Sequence, residues 1–427
     1  MRRIARSATF PVLAFLATAC GPGADHTASD APRWTAAIDT IGDTVVVRTL
    51  SGQVWESDRE LISEVSIGVL EGEDVYQFGS VRAFDVDDAG RMFVYDSHVP
   101  IIRVYGPDGT WLRDIGREGE GPGEYKQPDS GLAILPDGRV AIRDPGTGRI
   151  TRYTADGEYD GFYRIAGSFN TSNPMISDTS GTLATPIVTN LGASVFEWKS
   201  GHARYYPDGT VDTVETPDLG YEAAQLSAEK EGSSSINQVP FSPLQVDVYS
   251  PFGYYIAGVN ADYSFDLLRP EGVLRISKSC ESVPVDPGEA ESERERVTAN
   301  FRQSYPGWKW NGPPIPDTKP AFQQIHPAAD GRIWVRVPAP SERYLDAAEQ
   351  KAEEERLGRP VNPFREPVRF DVFESTGEYL GRVSAPDGFS ARWPPPVFRG
   401  DTVWAVVRDE YDVQRLQRFR MEAITAD

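Results

Sequence analysis

The sequence predicts an all-β fold: a six-bladed β-propeller of four-stranded antiparallel blades, with an N-terminal strand closing the last blade and short helical insertions in loops. Three observations predict it. Landmarks recur with one shift. Ile67-Gly68 is followed 48 residues later by Ile115-Gly116, Asp88-Ala89-Gly90 by Pro136-Asp137-Gly138, and Pro107-Asp108-Gly109 by Ala155-Asp156-Gly157. A repeat of this length, made of short apolar runs and Asp-Gly turns, is that of a propeller blade. The 39 glycines and 34 prolines fall mostly between short apolar runs, where tight turns need them. The length, 427 residues, exceeds an ordinary single domain, a limit that radial repeats escape because each unit packs mainly on its neighbours.

Residues 1–19 read as a signal segment. Arg2, Arg3 and Arg6 form a basic start, and Ala8 to Ala19 is apolar but shorter than the roughly 20 residues that span a bilayer. The segment ends Leu16-Ala17-Thr18-Ala19-Cys20, small residues before a cysteine, which resembles a bacterial lipobox with Cys20 as the lipidated residue. An ordinary secretory signal is the alternative. Gly21 rather than Asp after the cysteine favours, by resemblance to lipoprotein sorting, the outer membrane of a bacterial cell envelope. Residues 20–33 are small and polar and read as a flexible tether; the propeller is expected over 34–427.

Cleavage would remove three arginines and no acids, leaving 40 Lys+Arg against 64 Asp+Glu, a formal charge of −24. Such a surface repels nucleic acid, which is excluded as a partner. After Cys20 only Cys280 remains, so no internal disulfide is available; at a strand end with no histidine motif beside it, Cys280 reads as structural.

The first complete blade runs from Val81 to Gly116, with turns at Asp87–Gly90 and Pro107–Gly109; the second repeats it from Leu132 to beyond Gly157. Turn glycines 181 and 209, 253 and 272, and 331 and 377 mark blades three to five. The wide last interval holds an Ala- and Glu-rich, helix-like insertion, Ser341 to Leu357. The sixth blade, from Gly400 onward, runs out after three strands. Leu61 to Gly68, standing 48 residues before the outer strand of the first complete blade, supplies the fourth.

With strands named a to d from the axis outward, the tight a–b and c–d turns share one face. The b–c loops and d–a connections share the other. Every long segment falls on this second face: Pro217 to Val246, with Tyr221 to Glu231 read as helix-like; Glu281 to Phe322, with the charged run Glu289 to Arg302 and the Trp308/Trp310 pair; and the Ser341 to Leu357 insertion. Long, irregular loops mark functional surfaces, though they also serve as caps.

The same face carries Asp96, Asp144 and Asp409 at the ends of b strands and His98 in a b–c loop; these four are the candidate binding residues. Carboxylates from different blades, with Asn260, could converge on a Ca²⁺ ion; local turn capping is the commoner use of such residues, and the sequence leaves both open. No local pair of His26, His98, His202, His326 and Cys280 has zinc-ligand spacing. The run Gly116 to Tyr125 carries three acids and no Lys-Ser/Thr, which makes it a connector rather than a phosphate loop.

Phe93-Val94-Tyr95-Asp96, Ile102 to Gly109 and Gly116 to Tyr125, with Asp409 to Val413 near the end, resemble the NHL-type six-bladed propeller, in particular exported bacterial lipoproteins of that type. The resemblance implies a recognition role more than an activity. The expected function is therefore a non-enzymatic binding module, a monomer anchored in the cell envelope, presenting the long-loop face to a protein, peptide or glycan without a cofactor. The alternative is a lactonase-like propeller hydrolase or lyase with an axial Ca²⁺.

Overall fold

In a computed structural model of the chain, the structure describes residues 33–167, 174–189, 198–230, 233–409 and 412–424. Cys20 and residues 1–19, read above as a signal segment, lie outside the described residues. Two N-terminal strands, β1 (Trp34–Ile41) and β2 (Thr44–Gly52), form a hairpin and are followed by β3 (Arg59–Ile67). Four strands then form the first array, β4 (Val81–Val86), β5 (Met92–Asp96), β6 (Ile101–Tyr105) and β7 (Trp111–Ile115). The second is β8 (Leu132–Ile134), β9 (Val140–Asp144), β10 (Arg149–Tyr153) and β11 (Tyr159–Arg164). The third is β12 (Ile176–Ser177), β13 (Leu183–Val188), β14 (Ser200–Tyr205) and β15 (Val211–Glu215).

A separate hairpin, β16 (Gln225–Lys230) and β17 (Ser233–Gln238), precedes the fourth array of β18 (Gln245–Tyr249), β19 (Tyr255–Val259), β20 (Ser264–Arg269) and β21 (Gly272–Lys278). Helix α1 (Pro287–Ser304) leads to the fifth. There β22 (Gln324–Pro327) and β23 (Ile333–Val337) are separated by the insertion of β24 (Glu342–Arg343), α2 (Ala347–Leu357) and β25 (Phe364–Arg365) from β26 (Arg369–Phe373) and β27 (Tyr379–Ser384). The chain closes with β28 (Val397–Arg399), β29 (Thr402–Arg408) and β30 (Gln414–Ala423).

The sixth array is completed from the other end of the chain. β3 runs antiparallel along β30, with Leu61 opposite Met421 and Ile67 opposite Leu416. β27 also touches β3 in parallel through Val383–Arg59 and Ser384–Glu60, so the fifth and sixth arrays are continuous. No repeat in the sequence announces the pairing of β2 in parallel with β21, which widens the fourth array to six strands.

The 48-residue spacing has a direct physical meaning. A Cβ placed on Gly109 would meet Val65 at 3.0 Å and Ile67 at 3.3 Å, and one on Gly157 would meet Ile115 at 3.0 Å. Both glycines have left-handed φ, +86° and +90°, as their turns demand. The outer-strand isoleucine of one array thus packs on the c–d turn of the next, and both partners recur together. Tyr105 and Tyr153, also 48 apart, each donate a hydroxyl hydrogen bond to the connection ahead of their own array, at the carbonyls of Val75 and Gly123.

Where the repeat becomes irregular, buried charge joins this packing: an apolar cluster still spans the fourth and fifth arrays, with Gly377 of the fifth against Val47 of β2. At the seam of the fourth and fifth arrays Asp371 is fully buried. Lys278 donates to it at 2.7 Å, Arg382 at 2.9 Å, and the hydroxyls of Tyr263 and Tyr379 at 3.1 and 3.0 Å. Desolvation would raise the Asp371 pKa, but the two cations hold it below the usual carboxylate value.

The stretch Tyr221 to Glu231, read as helix-like, instead carries strand β16 over Gln225–Lys230. Leu226 and Ala228 are buried while Gln225, Glu229 and Lys230 are exposed, an alternation of period two. Its Ala and Glu content favours helix, but packing of one face on α1 decides the local structure.

Ile67 is 2% exposed and packs across the closing seam. Ile67→Ala is therefore expected to lower unfolding free energy by about 2–5 kcal/mol, with Ile115→Ala similar. Urea denaturation measures both, and a loss under about 0.5 kcal/mol at Ile67 would show that the seam does not carry stability.

Candidate functional site

The long connections on the b–c and d–a face form one packed layer. Asp286 caps α1, accepting from the backbone N–H of Gly288 and Glu289, with Pro287 at the first helical position. Val297, Phe301 and Tyr305 of this segment bury against Leu226 and Ala228 of the β16–β17 hairpin and Val239 just after it. Trp308 stacks on Phe301 at 4.3 Å and donates its indole N–H to the Ser227 carbonyl. Asp346 and Glu349 make a capping box at the start of α2.

One buried cation ties these pieces to the propeller. The Lys319 side chain is fully buried. Its Nζ lies 2.6 Å from Glu366, 3.4 Å from Glu289 of α1, 2.7 Å from Ser341 Oγ and 3.1 Å from the Ala339 carbonyl. Gln323 donates to the other Glu366 oxygen. The connection that carries α1 and the insertion that carries α2 therefore meet at a single ammonium. Beside α1 an open groove of about 670 Å³ is lined by Glu291, Arg294, Glu295, Arg302 and Pro360. Arg294 sits 4.6 Å over the Trp310 ring.

The sequence-predicted residues occupy this face, but the structure uses their polar atoms locally. Asp96 accepts from the backbone N–H of Gly79, Ser80 and His98. Asp144, 48 residues on, accepts from Lys126, Gln127 and Gly146 and from the Thr147 hydroxyl. Asn260 accepts from Leu244 N–H and donates to the Phe322 carbonyl. Asp409 accepts from Val413 N–H and pairs with Arg415 at 2.9 Å. The three aspartates each close their own b–c turn, and Asp96, Asp144 and Asn260 pin strand-entry segments. Only His98 is exposed, its ring lying against Gly79. Among the described residues no group of three or more His, Cys, Asp or Glu is placed to hold a metal ion. Cys280 is a free, exposed thiol whose pKa is nonetheless raised by desolvation, the opposite of an activated nucleophile.

Sequence reasoning missed the residues that line the axis. The inner strands of all six arrays, β4, β8, β12, β18, β22 and β28, line a central cavity of about 240 Å³. Its wall includes Phe84, Ile134, Ile176, Val248, Ile325 and Phe398, one from each strand. Asp85, His326, Tyr249 and Arg399 join them. Asp85 accepts from Val86 N–H at 2.8 Å and from Ile134 N–H of the neighbouring array at 2.7 Å. Desolvation raises its pKa to about 6 against the lowering by those two bonds. His326 lies between the Phe370 and Phe398 rings with its Nε2 buried and unbonded; desolvation, then the charge of Arg336, lowers its pKa to about 3. His202, which shares a 2.8 Å hydrogen bond with the Tyr255 hydroxyl, is lowered to about 4, also chiefly by desolvation.

A family model described as a 6-bladed β-propeller, DUF5128, matches residues 54–175. No curated protein matches the chain. Among solved structures, a member of the DUF4221 family from Bacteroides vulgatus is 10% identical over 87% of this chain and 100% of its own, with a TM-score of 0.51. A protein described as exported, from Bacteroides fragilis, is 11% identical over 86% and 96%, at 0.44. Virginiamycin B lyase from Staphylococcus aureus is 12% identical over 85% and 99%, at 0.41. The family description and the first of these structures, at a TM-score above one half, establish the β-propeller fold and nothing finer.

Two outcomes are expected. Lys319→Met leaves Glu289 and Glu366 buried without their cation, so unfolding free energy should fall by about 3–5 kcal/mol. Limited proteolysis should then cut first within 281–322, and equal protease resistance would show that the cluster does not hold the layer. The second concerns acid. The folded His326 stays neutral well below the ordinary histidine pKa of 6.5, so only the unfolded chain takes up that proton, and stability is lost as pH falls below about 6.5. His326→Phe should lessen the loss between pH 7 and 4.5 by roughly 2 kcal/mol; urea titrations at the two pH values giving identical losses would refute this.

Proposed function

We propose that the protein is a binding module of the bacterial cell envelope: an NHL-type, six-bladed propeller closed by β3, monomeric, and tethered through a lipid on Cys20 at the outer membrane. It presents the layer of α1, α2 and the β16–β17 hairpin to a protein, peptide or glycan. Asp96, Asp144 and Asp409 shape the rim of that face, and His98 is the member whose side chain is available for contact.

The observation that carries this reading is the Lys319 cluster. Long loops that only shield a channel need no common anchor. Here Lys319 draws two connections, separated in sequence by a full strand pair, into one fixed surface. A fixed surface loses less conformational entropy on binding, which is what a recognition face requires. The groove beside α1 supplies both charges, and its lining Arg294 is stacked over the neighbouring Trp310 ring. Arg and Trp are the residue types that dominate binding energy where interfaces have been dissected.

Two measurements test it. Full-length protein expressed with its signal is used to pull down partners from its own envelope, beside a Trp310→Ala, Arg302→Ala double variant. The expected result is a retained component lost with the variant, and retention that ignores the cap substitutions would defeat the reading. For the anchor, Cys20→Ala should move the protein from the membrane fraction to the soluble one.

A further inference from the structure

The axial cavity opens on the face opposite the long loops. It shares Ile134, Ser177, Pro251, Ala329 and Arg399 with an open depression of about 520 Å³ on the a–b turn side. An apolar shaft therefore continues into a polar mouth. The mouth carries Asp87, Asp88, Asp137 and Asp178 from three arrays, with Arg399 as its one lining cation.

The charges at this end do not cancel. Asp87 pairs with Arg91, Asp137 with Arg139 and Asp88 with Arg399. Arg399 is used a second time, on the Val86 carbonyl at 2.5 Å. Asp178 accepts only from backbone N–H groups and the Ser180 hydroxyl in the bonds described, and Asp85 only from backbone N–H groups. Counting these groups, five carboxylates face three guanidinium groups, and the two carboxylates without an ion pair stand one at the mouth and one inside the shaft.

We propose that this well is a binding site separate from the loop face, and that it takes a small cationic amphiphile, an apolar body carrying one ammonium group, entered from the a–b turn side. The apolar wall favours a hydrocarbon body at roughly 25 cal/mol per Å² removed from water. An ammonium beside Asp85 gives its desolvated carboxylate a direct ion pair, which the two backbone N–H groups and the charge of Arg399, beyond ion-pair distance, do not supply. An anion of the same shape meets uncompensated aspartates at the mouth, and an uncharged body leaves Asp85 unpaired.

Isothermal titration calorimetry on the full chain at pH 7.5 tests this with three probes of one shape: n-hexylamine, n-hexanol and hexanoate. The expected result is saturable one-to-one binding of hexylamine, about tenfold tighter than hexanol, since a charge-assisted hydrogen bond contributes about 1.5–3 kcal/mol, with no measurable heat for hexanoate. Asp85→Asn should bring hexylamine to the affinity of hexanol. Asp85 also braces β4 to β8, so a second variant is needed: Ala329→Trp, at the mouth, should abolish binding of both while leaving the thermal unfolding midpoint unchanged. Hexanoate binding as tightly as hexylamine, no saturable binding of hexylamine, or hexylamine binding unchanged in Ala329→Trp would each overturn the proposal. None of these results bears on the loop face, which lies at the other end of the axis.

Discussion

The pairing of β3 with β30 is the contact on which the rest of the molecule depends. A four-stranded antiparallel sheet with apolar side chains on both faces is stable only when both faces are covered. In this chain the cover comes from neighbouring arrays, as the side-chain clusters that span consecutive arrays show. An open row would leave its first and last sheets bare. Closing the row with residues from opposite ends of the chain removes both bare faces at once. The contact is also among the most non-local available, so the folded ring cannot be completed until the last strand exists.

Packing between arrays is not uniform. Between the early arrays the work is done by shape, an isoleucine against a turn glycine and a tyrosine hydroxyl on the preceding connection. At the fourth and fifth, where loop lengths diverge, buried charge is added to the apolar cluster: Asp371 with Lys278 and Arg382, and Lys319 with Glu289 and Glu366. Buried ion pairs of this sort contribute little net stability compared with well-packed apolar groups, but breaking them is costly because one charge is left alone. They constrain geometry more than they add energy, and they stand where the repeat no longer dictates geometry.

That contrast explains what the sequence reveals. The 48-residue spacing exposes contacts in which both partners recur, so the first two arrays, their turns and the strand at Leu61 are legible. The same spacing shows in retrospect that Asp96 and Asp144 do one job twice, closing a turn and holding a connector. The β16 segment is misread because its Ala- and Glu-rich composition speaks for helix, while the face that decides its structure belongs to α1. The β1–β2 hairpin repeats nothing and leaves no periodic trace. Asp85, Lys319 and Glu366 are single charged residues among 107 in the sequence. What sets them apart is burial beside residues remote in the chain, which no local pattern records.

The hairpin at the start of the described chain bears on how the molecule would respond to force. Residue 33 leads into β1, which lies at the free edge of the fourth array and is bonded on one side only. Tension applied there would peel β1 away one backbone bond at a time, then β2 from β21, before any load reached Arg59. The strand that completes the ring thus sits behind two strands that can be sacrificed first. A tug on the leading end of the domain would lengthen it by a hairpin and leave the disc intact.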